Sequence, residues 1–162
     1  AISGKLVRQD KSDEPAIELL KRINPQYQPT DNRHYGNLPD SWKICQLKDI
    51  FDITMGQSPA GNTINGKCGT EFHQGKINFT DKYLSESGQY TTTPSKTAAP
   101  ESLLLCVRAP VGVVNITKRE ICIGRGLCSL LPKYDIDCLY LDLAVTKQNY
   151  MNLFGNAQLH VK

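Results

Sequence analysis

Four short segments in the middle of the chain carry the side chains best suited to recognition. Met55-Gly56-Gln57-Ser58-Pro59, His73-Gln74-Gly75-Lys76, Arg108-Ala109-Pro110-Val111-Gly112 and Gly124-Arg125-Gly126 each interrupt a hydrophobic run. Each joins Gly or Pro turn chemistry to an amide, a hydroxyl, a Lys or an Arg. An amide offers a donor and an acceptor together to an adenine edge, a guanidinium or ammonium meets guanine or phosphate, and a hydroxyl bonds phosphate. No paired carboxylates, nucleophile with its base, or acid cluster of the nuclease kind accompanies them, so no catalytic residue is expected. The pattern points to reading DNA rather than changing it.

Each candidate has a plainer alternative. Gln57 and Ser58 stand at the head of a Gly/Asn/Ser-rich stretch over residues 56–70, read as a long loop; Ser-Pro could equally close a strand. Gln74 and Lys76 flank Gly75, which permits close backbone approach to a ligand or simply an exposed hairpin. Thr91-Thr92-Thr93 with Lys96 suits a phosphate-contacting edge, and also a strand with a solvated charge. Arg108 follows a buried strand and precedes a turn, so its guanidinium emerges at a rim, for guanine, phosphate or a structural salt bridge. Gly124-Arg125-Gly126 echoes a dinucleotide-binding loop but lacks the third Gly and leads into a strand. Two glycines there either let Arg125 and its backbone approach a ligand or make a tight turn. The candidate DNA contacts are therefore Gln57, Ser58, Gln74, Lys76, Lys96, Arg108 and Arg125.

The elements that must position these residues form one sizeable domain plus a flanking segment, which is what 162 residues can hold. Ser12-Asp13-Glu14-Pro15 reads as a helix start, and Ile17, Leu20 and Ile23 as the apolar face of a short helix. Residues 24–40 contain Pro25, Pro29 and Pro39 and read as an extended linker. The division expected is 1–23 helical, 24–40 linker, 41–162 recognition domain. Trp42 to Ile53 is a strand or short helix with Trp42 as a core anchor. Leu103 to Val107, Val113 to Ile116, Ile121 to Ile123 and Leu127 to Leu131 are strands, read as a β-meander, and residues 136–153 as a terminal helix.

Net charge is +3, and between Gly56 and Gly126 eight basic residues face five acidic ones. That balance implies weak, salt-sensitive DNA binding, with partner subunits supplying much of the grip. No apolar run approaches the ~20 residues of a membrane helix and no secretory signal opens the chain, so the expected location is cytoplasmic. The six cysteines contain no Cys-x-x-Cys pair and read as buried free thiols in a reducing compartment; no metal or cofactor is expected.

In order and wording, Ile50 to Pro59, Gln74-Gly75-Lys76, Val107 to Gly112 and Cys122 to Gly126 resemble the target recognition domain of type I restriction-modification specificity subunits. Ala1 to Val7 is similar to the tail of that family's conserved spacer helix. The resemblance implies an α+β fold with a curved, largely antiparallel sheet and flanking helices, like the DNA-specificity domain of adenine methyltransferases. It also implies recognition of one half of a bipartite double-stranded DNA site, with methylation and cleavage left to methyltransferase (modification) and restriction subunits. Asn24-Pro25-Gln26-Tyr27 resembles the amine-holding loop of amino-methyltransferases, but it follows a polar helix and lacks the second Pro. Phe154 to Lys162 departs from the family's Pro-Leu-Pro-Pro-Leu-like continuation, which suggests an excised domain or a truncated product. The competing function is a remnant or protein-interaction module that does not read DNA.

Overall fold

The computed structural model describes residues 10, 12–29, 40–43 and 45–133; the readings of residues 1–7, most of the linker and the terminal helix at 136–153 lie outside them. The chain divides into two compact units, Ala1–Phe51 and Asp52–Lys162. In the first unit, α1 spans Ala16–Ile23 and α2 spans Leu47–Ile50. Leu20 of the expected apolar face is buried. The capping expectation fails: Ser12 bonds back to Asp10, and α1 begins after Pro15 with no side-chain cap. Arg22 instead grips Glu14 with two hydrogen bonds of 2.8 and 3.0 Å, a bidentate pair that ties the entering chain to the helix.

Asn24 to Tyr27 forms a turn closed by the Tyr27 N–H donating to the Asn24 carbonyl at 2.8 Å. Asn24 ends α1 by donating its backbone N–H to the Leu20 carbonyl, its side chain accepts the Gln26 N–H at 3.1 Å, and Tyr27 is buried. The residues that look like a methyltransferase loop are a turn closing a helix. Asp49, also buried, accepts the Gln46 N–H at 2.8 Å and so starts α2. Trp42, expected as a core anchor, is only partly buried.

The second unit is a set of strands. In chain order they are β1 (Phe51–Met55, its first residue in the preceding unit), β2 (Ile64–Asn65), β3 (Thr70–His73), β4 (Tyr90–Thr91) and β5 (Thr97–Ala98). β6 (Leu103–Cys106), β7 (Val114–Ile116), β8 (Ile121–Ile123) and β9 (Leu127–Pro132) follow. They form two open sheets, ordered β1-β9-β6-β7 and β2-β4-β3-β8-β5. The largely antiparallel α+β architecture expected from the sequence is present, with β3 and β8 paired in parallel.

Two sequence expectations are corrected here. The strands from β6 onward are not a meander: β7 pairs with β6, β8 crosses to the other sheet, and β9 returns to the far side of β6. Hydrophobic patterning marks strands but not their partners. Residues 56–70 are not one long loop either. They contain a 3-10 turn at Gly61–Thr63 and β2, pinned to β4 by a 2.9 Å bond between the Thr63 and Thr91 hydroxyls. Thr91 is fully buried, so its hydroxyl serves the sheet rather than a phosphate.

The core follows the two-residue period of strands. Leu104 and Cys106 on one face of β6, Leu127 of β9, Ile121 and Ile123 of β8, Ala98 of β5 and Leu84 pack together, with Phe79 and Val113 against them. Leu103 and Leu105, on the opposite face of β6, are also buried, so β6 is central and its four apolar residues in a row are accounted for. Among the described cysteines, Cys106, Cys122 and Cys128 are buried free thiols. Cys45 is partly buried and Cys68 exposed, which corrects the reading of all as buried. Burial, with Cys106 nearby, pushes the Cys128 thiol up to about 12, so it is inert at neutral pH.

Two internal constraints bind the unit. One is a backbone crossing: a Cβ on Gly56 would overlap the Gly124 carbonyl oxygen and lie 2.7 Å from that of Leu127. Only Gly passes there. The other is the Glu71 carboxylate of β3, which is buried and accepts the Ser87 N–H at 2.6 Å and the Arg119 Nε–H. Arg119 also donates to the Leu84 and Ser85 carbonyls, so one ion pair fastens residues 84–87 and the β7–β8 turn onto β3. His73 Nε2 lies 3.0 Å from Glu71 Oε1, although not aligned for a hydrogen bond. Burial alone would raise the Glu71 pKa, but the Arg119 and Ser87 hydrogen bonds and the neighbouring positive groups hold it at about 2. Burial keeps His73 below its ordinary range against the pull of Glu71.

Gly56→Ala should destabilise the fold by about 2 kcal/mol or more, because the atoms it meets are backbone and cannot rotate away; an unchanged melting temperature would refute the crossing. The Glu71 contribution is full above its unfolded pKa of 4.5 and is lost as pH falls towards about 2. Glu71→Gln should therefore cost roughly 1–3 kcal/mol at pH 7, and its deficit against the parent should shrink between pH 4.5 and 2 in denaturant titrations. A deficit independent of pH across that window would show that the carboxylate charge is not the source.

Candidate nucleic-acid interface

The segment Ile123 to Gly126, joining β8 to β9, is the point where the recognition candidates meet. The Ile123 carbonyl accepts the Gln57 N–H at 2.9 Å, and the Ile123 N–H donates to the Lys96 carbonyl at 2.9 Å. The Gly124 N–H donates to the His73 carbonyl at 2.8 Å, and the Gly126 carbonyl accepts the Val107 N–H at 3.0 Å. A Cβ on Gly126 would lie 3.3 Å from the Gly75 backbone, which brings Lys76 beside the same segment. Gln57, Ser58, Gln74, Lys76, Lys96 and Arg108 are thus each at, or one residue from, a close contact with residues 123–126, and Arg125 lies within them. Positions spread over nearly seventy residues of sequence come to one place.

Their side chains are not equally available. Gln57, Gln74, Lys76, Lys96, Arg108 and Arg125 are exposed. The four cations among them make no ion pair with another described residue, whereas Arg119 is taken up by Glu71. Arg108 forms no salt bridge to a described carboxylate; its carbonyl accepts a 3.2 Å bond from the Cys106 thiol, which braces the turn where it leaves β6. Ser58 differs from the rest. Its Oγ is buried without a hydrogen-bond partner and lies 3.2 Å from where a Gly124 Cβ would stand.

The glycines of Gly124-Arg125-Gly126 form a tight turn, in which the Leu127 N–H donates to the Gly124 carbonyl at 2.9 Å. Gly124 and Gly126 are buried, and the space a Cβ would need at Gly124 is taken by Gln74, Phe72 and Ser58 at 3.2 Å. The strand end is packed against the protein itself, leaving Arg125 exposed between two buried glycines. The groups exposed around residues 123–126 can hydrogen-bond and pair with charge: two amides and four cations, on segments tied together by the backbone bonds above.

Sequence reasoning passed over three exposed groups. Met55 and Ile77 are large apolar side chains, 45% and 84% exposed, next to Gly56-Gln57 and Lys76 respectively. Tyr83 is 37% exposed and carries the Lys118 ammonium 3.9 Å above its ring, with Lys82 at 5.2 Å. Nothing in the local pattern distinguishes an exposed Ile from a buried one. Among the described residues no group of three or more His, Cys, Asp or Glu is placed to hold a metal, and no helix is long and apolar enough to cross a membrane.

The chain is 41% identical over 98 residues to a protein described as the type I restriction enzyme MjaX specificity subunit of Methanocaldococcus jannaschii, a match over 59% of this chain and 23% of that protein. It is 24% identical to the type I restriction enzyme EcoAI specificity subunit of Escherichia coli, over 99% of this chain and 29% of the relative. The chain therefore spans about a quarter of the length of these relatives. Among solved structures, the HsdS subunit from Thermoanaerobacter tengcongensis is similar with a TM-score of 0.62 and 33% identity, over 82% of this chain and 34% of that one. A chain from a structure addressing complex assembly and conformational transition of the type I R-M system has a TM-score of 0.67 and 29% identity, over 91% and 37%. The family described as type I restriction modification DNA specificity domain matches residues 39–162, more than three quarters of the sequence, and the chain belongs to that family.

Proposed function

We propose that this chain reads sequence in double-stranded DNA and directs the modification and restriction subunits of a type I system to one half of a bipartite site. The observation that carries this reading is the gathering of two exposed amides and four exposed cations around residues 123–126. Gln57 and Gln74 are proposed as adenine-reading amides, and Arg108 and Arg125 as guanine or phosphate contacts. Lys76 and Lys96 are proposed as phosphate contacts that set register without carrying sequence information. Ser58, whose hydroxyl is covered, is assigned to supporting Gly124 beneath the face. The names of the relatives support the assembly, and catalysis is assigned to the partner subunits, in the cytoplasm. We place residues 1–23 as the end of a spacer helix with a short helix, 24–40 as the connection, and 41–162 as the recognition domain.

Selection from a randomised duplex pool, with the chain alone and with a methyltransferase subunit pair, should enrich one short half-site. Arg108→Ala and Arg125→Ala should each weaken binding to that site about tenfold or more while leaving thermal melting unchanged. Lys76→Ala and Lys96→Ala should weaken all duplexes alike and lower the salt dependence by about one ion per residue. Salt-labile binding without enrichment, in the presence of the methyltransferase pair, would overturn the reading in favour of an interaction module or a remnant.

A further inference from the structure

Ile77 is 84% exposed, although the chain around it is held on both sides. The Phe79 N–H donates to the Lys76 carbonyl at 2.9 Å, which closes a tight turn with Ile77 as its second residue, and Phe79 packs on the core. Asn78, the next residue, is clamped three ways. Its side chain donates to the Glu86 carbonyl at 3.0 Å, and its own carbonyl accepts the Ser85 N–H at 3.0 Å and the Ser85 hydroxyl at 2.9 Å. A β-branched side chain with few rotamers therefore stands in solvent on a fixed turn, one residue beyond Lys76 and three beyond Gln74.

We propose that Ile77 reads a thymine by apolar contact with its C5-methyl group in the major groove, beside the base pair engaged by Gln74. The inference rests on the DNA-reading function proposed above. Two considerations select this occupant. First, a protein partner needs a contiguous apolar patch. Among the described residues the other exposed large hydrophobics are Met55, which adjoins Gly56-Gln57, and Tyr83, which sits under Lys118. Ile77 is flanked by exposed Lys76 and lies three residues from exposed Gln74, while the Tyr83 ring is already met by two ammonium groups, and an apolar side chain set among cations and an amide matches a duplex edge better than an apolar protein surface. Second, the thymine methyl is the apolar group that base edges present in the major groove, where the amides and guanidinium groups of this face find their partners. Because the turn is already ordered and the side chain stiff, the contact costs little entropy on binding.

The test uses the full chain and the half-site it enriches. Each thymine is replaced singly by deoxyuridine, which removes the methyl group alone, and affinities are measured for the parent, Ile77→Ala and Ile77→Val. At one position the parent should lose about threefold to tenfold on removal of the methyl. Ile77→Ala should bind the thymine and deoxyuridine duplexes equally, and Ile77→Val should retain most of the difference. Since the side chain is almost wholly exposed, melting temperatures should match. A site without thymine, a deoxyuridine scan with no sensitive position, or sensitivity that persists in Ile77→Ala would overturn the proposal while leaving DNA reading intact. Equal loss by Ile77→Ala on thymine and deoxyuridine duplexes would likewise overturn it, marking a wedge between bases. Absence of any enriched site would remove the DNA-reading function and this inference together.

Discussion

The crossing of Gly56 over Gly124 and Leu127 is the constraint on which the arrangement of this face depends. Two chain segments approach until their backbones touch, so the Gln57 N–H can reach the Ile123 carbonyl and the Gly56 N–H the Leu127 carbonyl, both at 2.9 Å. Hydrogen bonds of this kind are modest one by one, and leaving a buried backbone group unpaired is the larger penalty. Pairing at the crossing therefore leaves little freedom to the residues that leave it. The proposed recognition through amides and guanidinium groups would tolerate only small errors in placement, and backbone contacts fix where Gln57 leaves the crossing.

The Glu71 carboxylate complements that crossing from a neighbouring strand. Buried charge is costly unless paired and hydrogen-bonded, and Glu71 has Arg119, the Ser87 N–H and the flank of His73 around it. Its effect is local: the chain that returns from the Lys76–Phe79 turn is tied down at Leu84 to Ser87. The same carboxylate thereby holds the arm that carries Lys76 and Ile77 and occupies Arg119, which does not join the exposed cations.

Much of this was legible in the residues. The apolar runs from Leu103 to Leu130 located β6 to β9 because strand burial writes a compact pattern, and Gly and Pro in the four segments marked where strands end. Pairing was not legible: nothing in Ile121-Cys122-Ile123 says that its neighbours are Phe72 and Ala98 rather than the preceding strand. Residues 56–70 looked like loop because β2 is two residues long and gains its stability from Thr91, a partner far along the chain. The covering of the Ser58 hydroxyl was hidden for a related reason. A hydroxyl next to Pro looks exposed until the fold lays Gly124 over it. The charge excess was visible, but which cations remain free depended on Glu71 finding Arg119 across forty-eight residues.

The parallel pairing of β3 with β8 has a kinetic consequence. Phe72 meets Cys122, so the contact closes some fifty residues of intervening chain, including all of β4 to β7. Loop closure over that distance is entropically unfavourable until many other contacts reward it, and non-local pairing slows folding relative to hairpins. Local pairs such as β6 with β7 close over far less chain. The candidate residues gathered around 123–126 therefore depend on a non-local contact, since His73, at the end of the β3–β8 pair, accepts the Gly124 N–H.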